Sequence, residues 1–84
     1  MRLISIGYGN MVAAERIVAV LGSVSSPTRR LLSEARERGM LIDATCGRKT
    51  KSVILTDSDH CILAAVTPEL LLGRMNEEDE SEVE

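Results

Sequence analysis

Three cations crowd one glycine in the stretch TCGRKTK, where Arg48, Lys49 and Lys51 follow Gly47. A chain reversal needs only the glycine, so the charges call for a separate reason. Backbone N–H groups of a turn, set beside guanidinium and ammonium groups, bind phosphate oxygens by charge and hydrogen bonding together. Arg16 adds a fourth cation: it interrupts the apolar run RIVAVLG and, in a strand, would have to point out of the sheet, where it could join the same surface. From charge clustering alone the group is either a nucleic-acid-binding surface, with Lys51 helping Arg48 and Lys49, or a solvated hairpin tip, since Lys and Arg are common in exposed turns. A single copy would reach few phosphates, whereas several copies side by side would present a continuous positive track. An acidic protein partner is the alternative occupant of such a surface, which would make the chain a structural or interaction module.

Other combinations carry less chemistry. The sequence DSDH collects Asp57, Asp59 and the lone His60, but the spacing matches no zinc or calcium loop, and turn bonding by the two aspartates is expected instead. Cys46 ends one apolar run and Cys61 begins another, so both are expected to be small buried hydrophobes. Gly7-Tyr8-Gly9 follows a strand-like run, yet a dinucleotide loop would carry a third glycine where Val12 stands and an acid about 20 residues further on in a βαβ unit. Gly7 and Gly9 are read as structural, permitting a tight turn or close backbone approach, with Asn10 able to take a left-handed conformation. No Ser/His/Asp set assembles, so no enzyme, cofactor or metal is expected.

The elements that must hold these residues follow from pattern. Arg2 to Ile6 is expected to be a strand, and the β-branched residues of RIVAVLG favour a second from about Glu15 to Leu21 over a helix starting at Asn10. SSPTRRLLSEARERGM predicts a helix with Ser26 as N-cap, Pro27 in its first turn and Gly39 past its end. Leu31, Leu32 and Ala35 give it a narrow apolar stripe, suited to packing one face on a sheet. LIDATC, KSVILT and CILAAV are three short strands whose close spacing predicts an antiparallel meander. Thr67-Pro68-Glu69 opens a second helix. The expected class is α+β, a small antiparallel sheet in the order ββαβββα with helices packed on it, forming one domain over residues 1–75.

The chain has 84 residues with no Phe or Trp and a single Tyr, so its core must be thin. Two cysteines and no apolar stretch resembling an export signal or a membrane span predict a cytoplasmic protein without disulfides. Oligomerisation is then the expected support for a small core. The net charge of −3 conceals a division: Glu77, Glu78, Asp79, Glu80, Glu82 and Glu84 cluster at the end, and the remainder carries a net +3. Positions 76–84 are expected to be a disordered acidic tail, either solubilising or folding over the basic surface to weaken non-specific anion binding.

The motifs SIGYGNMV and SSPTRRLLSEARERGMLIDATCGRKTKSVILTDSDHCILAAVTPE resemble the RemA family of extracellular matrix regulators, in order and from Ile4 to Glu69. The resemblance implies a nucleoid-associated transcriptional regulator without a helix-turn-helix, activating biofilm-matrix genes. It also implies assembly into rings, octameric in the family, with DNA wrapped around the outside. The family's DNA-contacting arginines fall on Arg16 and on the turn at Arg48 and Lys49, and the proline implicated in assembly falls on Pro27. Two departures stand out: Lys49 lacks the planar fork of the arginine often found there, and Cys46 replaces a larger residue.

Overall fold

A computed structural model describes residues 1–22 and 25–83, with side chains described as far as Asn76. Strands β1 (Leu3–Gly7) and β2 (Asn10–Ala13) form an antiparallel hairpin, followed by a 3₁₀ turn (Ala14–Arg16). Then come β3 (Ile17–Leu21), helix α1 (Ser26–Glu37), β4 (Leu41–Asp43), β5 (Ser52–Thr56), β6 (Cys61–Ala64) and helix α2 (Pro68–Val83). Over the expected acidic tail at 76–84, α2 continues to Val83, and the side chains after Asn76 lie outside the described residues.

The second sheet has the order β3-β5-β6-β4 and lies between two apolar layers. Successive side chains on a strand point to opposite faces, and the packing follows that alternation. Val53 and Leu55 of β5, with Cys61 and Leu63 of β6, meet Leu31, Leu32 and Ala35 of α1. Ile54, Ile62 and Ala64 meet Ile4 and Ile6 of the hairpin and Leu71 of α2 on the other face. Because β5 is covered on both sides, its sequence SVILT reads as one apolar run. Ser52 is fully buried there, its hydroxyl donating to the Val66 carbonyl at 2.8 Å.

The α+β class, the two helices and the antiparallel pairings agree with expectation, and three details are corrected. The strand read from about Glu15 to Leu21 is β3, which starts at Ile17 after the 3₁₀ turn, and the stretch before that turn carries an added strand, β2. The N-cap of α1 is Ser25, one residue before the expected Ser26, with its hydroxyl 3.1 Å from that of Thr28. Gly39 does end α1, at φ +73, and the bonds from Gly39 N–H to Arg36 and from Met40 N–H to Ala35 form a Schellman cap.

The third correction concerns the meander. β5 and β6 pair antiparallel as expected, but β4 pairs with β6 and runs parallel to it, so β4 and β5 are a hairpin held open by an intervening strand. Sheet position is chosen by burial as well as by connection length: β6 is the more apolar neighbour, and residues 44–51 are long enough to arch over its end. The Ala44 N–H donates to Leu63 and the Lys51 N–H to Ala64, pinning the two legs of the arch on either side of β6.

Candidate nucleic-acid interface

The arch is built by local bonds. The Asp43 carboxylate accepts from the Thr45 N–H at 2.9 Å and from its hydroxyl at 2.6 Å, and these bonds hold its pKa below the ordinary carboxylate range. The Arg48 N–H donates to the Thr45 carbonyl, closing a turn whose central residues Cys46 and Gly47 lie at φ +52 and +80. Two successive left-handed residues mark a mirror-image turn, and glycine is the residue that adopts that conformation freely. The backbone therefore leaves the turn with Arg48, Lys49 and Lys51 all exposed. Cys61 is buried as expected, its thiol pKa raised by burial and by nearby Asp59. Cys46 is exposed, against expectation, because the arch carries it clear of the sheet.

The hairpin turn at Gly7-Tyr8-Gly9 is stapled to this arch. The Asn10 side-chain amide donates to the carbonyls of Gly7 at 3.2 Å and Ala44 at 3.4 Å. Gly7, Tyr8 and Gly9 lie at φ +102, +56 and +80, so the tight turn read from the two glycines is present and includes the tyrosine. The Arg48 guanidinium carbon stands 5.3 Å from the Tyr8 ring centroid, within the range of cation–π attraction.

Arg16 does not join this surface. It closes the 3₁₀ turn before β3, at the end where the Asp57 N–H, just past β5, donates to its carbonyl. Its Nε also donates to Asp57 Oδ1 at 2.8 Å, in an exposed ion pair. The arch enters β5 at the opposite end, so five residues of strand, about 13 Å, separate the two groups.

The turn beyond β5 is tied by hydroxyls in place of the expected aspartate bonds. Thr56 and Ser58 lie 2.9 Å apart, Ser58 lies 2.8 Å from His60 Nδ1, and Thr56 accepts from the His60 N–H. Among the described residues no group of three or more His, Cys, Asp or Glu is placed to hold a metal ion.

The topology sorts charge between the two ends of the sheet. β3 finishes beside the start of β5, with Leu21 paired to Val53, and α1 begins from there. The exposed Arg29 and Arg30 of its first turns thus share the end that holds Arg48, Lys49 and Lys51, opposed by Asp43 and Glu69. Arg2, Arg16, Arg36, Arg38 and His60 lie at the other end among Glu15, Glu37, Asp57 and Asp59. One end is cationic and the other is mixed.

Read from sequence alone, Tyr8, Arg29 and Arg30 had no part in the site, and Asn10 and Asp57 were only turn residues. Arg29 and Arg30 carried a signal, because cations in the first turns oppose the helix dipole and α1 has no acid there to offset them. Pro27 occupies that first turn as expected.

The fold and this site define a small α+β protein with one cationic end. The RemA-like family model, described as extracellular matrix regulatory protein A-like, matches residues 3–75, and the chain belongs to that family. It is 55% identical over 84 residues to a protein of Acetivibrio thermocellus, covering all of this chain and 90% of the relative. It is 59% identical over 78 residues to one from Alkaliphilus metalliredigens, covering 93% and 84% of the two chains. A third, from Alkaliphilus oremlandii, is 58% identical over 80 residues, covering 95% and 86%. All three relatives bear the name "Putative regulatory protein". The chain is accordingly a regulatory protein by family, and among its described residues no helix is long and apolar enough to cross a membrane.

Proposed function

We propose that this regulator is a DNA-binding protein, not an enzyme, that acts on transcription of the biofilm-matrix type in the cytoplasm. Its copies associate in a ring, and duplex DNA lies along the repeated cationic end. The observation that carries this reading is the segregation of Arg48, Lys49, Lys51, Arg29 and Arg30 at one end of the sheet, with most of the folded chain's acids at the other. A solvated arch tip would account for scattered charge but not for that sorting. Arg48 and Lys49 meet phosphates directly, and Lys51 assists from the base of the arch. Arg16 stands about 13 Å from this group, at the mixed end, so it is a secondary contact that DNA reaches only when the ion pair with Asp57 opens, a pair this exposed being worth at most about 1 kcal/mol.

Assembly is supported by the sheet's edges. β3 and β4 are the two outer strands, and each carries an exposed apolar side chain, Val18 and Ile42. Unpaired strand edges with apolar side chains favour further pairing. Two different edges meeting between copies make a head-to-tail contact, which closes into a ring when its rotation permits. A ring multiplies a small cationic end into a track long enough for DNA, with sequence preference arising from bendability because no recognition helix enters a groove.

The test is duplex binding by fluorescence anisotropy with wild-type chain and Arg48→Ala, alongside light scattering for mass. Arg48→Ala is expected to weaken binding to most sequences about equally while leaving assembly mass unchanged. Normal binding by Arg48→Ala would remove the arch from the interface.

A further inference from the structure

Tyr8 is the sole aromatic residue in a chain without Phe or Trp, yet it stands outside the core. It is 51% exposed, although aromatic burial is what this thin core most lacks. Its backbone lies at φ +56, a conformation in which side chains other than glycine are strained. Folding alone would place a glycine here and the aromatic inside. Asn10 fixes this turn against the arch, and the Tyr8 ring receives the Arg48 guanidinium at 5.3 Å. Two local rules are broken at the same residue, and what the break produces is an arginine held by a ring at the cationic end.

From this geometry we infer that Tyr8 is a positioning residue for DNA binding, acting through Arg48. The inference rests on the DNA-binding reading above. An exposed arginine ordinarily loses much rotamer freedom on meeting a phosphate. The Tyr8 face removes part of that freedom beforehand by cation–π attraction, so less is lost on binding. The ring leaves the N–H groups of the guanidinium free at its edge, where they donate to phosphate oxygens.

The absence of tryptophan makes the intrinsic emission of Tyr8 a direct reporter, and the full-length chain is the material to use. Tyrosine emission is expected to change when duplex DNA is added to wild-type protein, and to change less in Arg48→Ala. Tyr8→Gly relieves the backbone and is expected to keep or raise the melting temperature while weakening DNA binding about two- to five-fold per contacting subunit. Tyr8→Asn, which also tolerates the left-handed region, is expected to weaken binding equally. Tyr8→Phe keeps the ring and is expected to restore most of the affinity. In the Arg48→Ala background, Tyr8→Gly should have little further effect.

A lower melting temperature with unchanged affinity in Tyr8→Gly would show a merely structural tyrosine and overturn the inference, leaving DNA binding intact. Equal losses from Tyr8→Gly with and without Arg48 would overturn the route through arginine. A wild-type chain that binds no duplex at all would instead sink the DNA-binding reading, and the role of Tyr8 with it.

Discussion

Arg16 and Arg48 stand at opposite ends of β5, the first bonded to Asp57 at 2.8 Å and the second facing the Tyr8 ring at 5.3 Å. One is neutralised by a carboxylate and the other is held out by an aromatic face. A single copy therefore presents one ready arginine and one that must first leave its partner. The difference makes the two residues separable by experiment.

Replacing Asp57 with Asn leaves Arg16 without its ion pair. If Arg16 contacts DNA, Asp57→Asn should raise duplex affinity about two- to five-fold, the scale of an exposed ion pair, measured by anisotropy at fixed salt. Unchanged or weaker binding would make Arg16 a structural partner of Asp57 and nothing more.

The outer strands give a second handle. Val18→Lys or Ile42→Lys places a charge at the edge of β3 or β4, and either change is expected to shift the mass from light scattering toward that of a single chain. DNA affinity should fall by roughly a hundredfold with it, because the multivalent gain is lost. Full-sized assemblies from both variants would locate the contact elsewhere.

Much of this was legible in the sequence, and the failures have identifiable causes. Helix α1 showed its cap region, first-turn proline and terminal glycine, all local signals, and its cap moved by only one residue to Ser25. β5 and β6 showed as apolar runs because they are the covered centre of the sheet. The parallel pairing of β4 with β6 left no local trace, since it depends on which neighbour offers a buried place and not on the arch between them. Arg48, Lys49 and Lys51 could be read as an exposed group because they share one turn. Arg16 could not be placed, because which end of a sheet a residue occupies is decided by topology.

Acid should loosen the arch. Asp43 has its pKa lowered by bonds from Thr45, and Glu15 by backbone N–H bonds, its own and that of Arg2. A carboxylate whose folded pKa lies below its unfolded value stabilises the fold above the unfolded pKa, and loses that contribution as pH falls through the folded one. Melting temperature is thus expected to be steady from pH 7 to about 5 with respect to these groups, and to decline below about 4. Asp43→Asn should flatten part of that decline. An identical acid profile in this variant would show that the Asp43 bonds do not contribute.

The centre of the sheet should be the most sensitive part of the fold. Ile54 is fully buried, so Ile54→Ala is expected to cost about 2–5 kcal/mol through lost transfer energy and the cavity left behind. Ser52→Ala removes the donor to the Val66 carbonyl and should cost about 1–3 kcal/mol. Urea unfolding followed by circular dichroism reads both. A loss under about 0.5 kcal/mol in Ile54→Ala, typical of a surface change, would contradict the burial of β5.

The salt dependence of duplex binding tests the cationic end most directly. Affinity measured from low to moderate salt should fall along a straight line in logarithmic coordinates, with a slope of about −0.9 for each phosphate neutralised. Arg48→Ala should make that slope shallower in proportion to the subunits engaged. A binding constant indifferent to salt, or a slope untouched by loss of Arg48, would contradict the account.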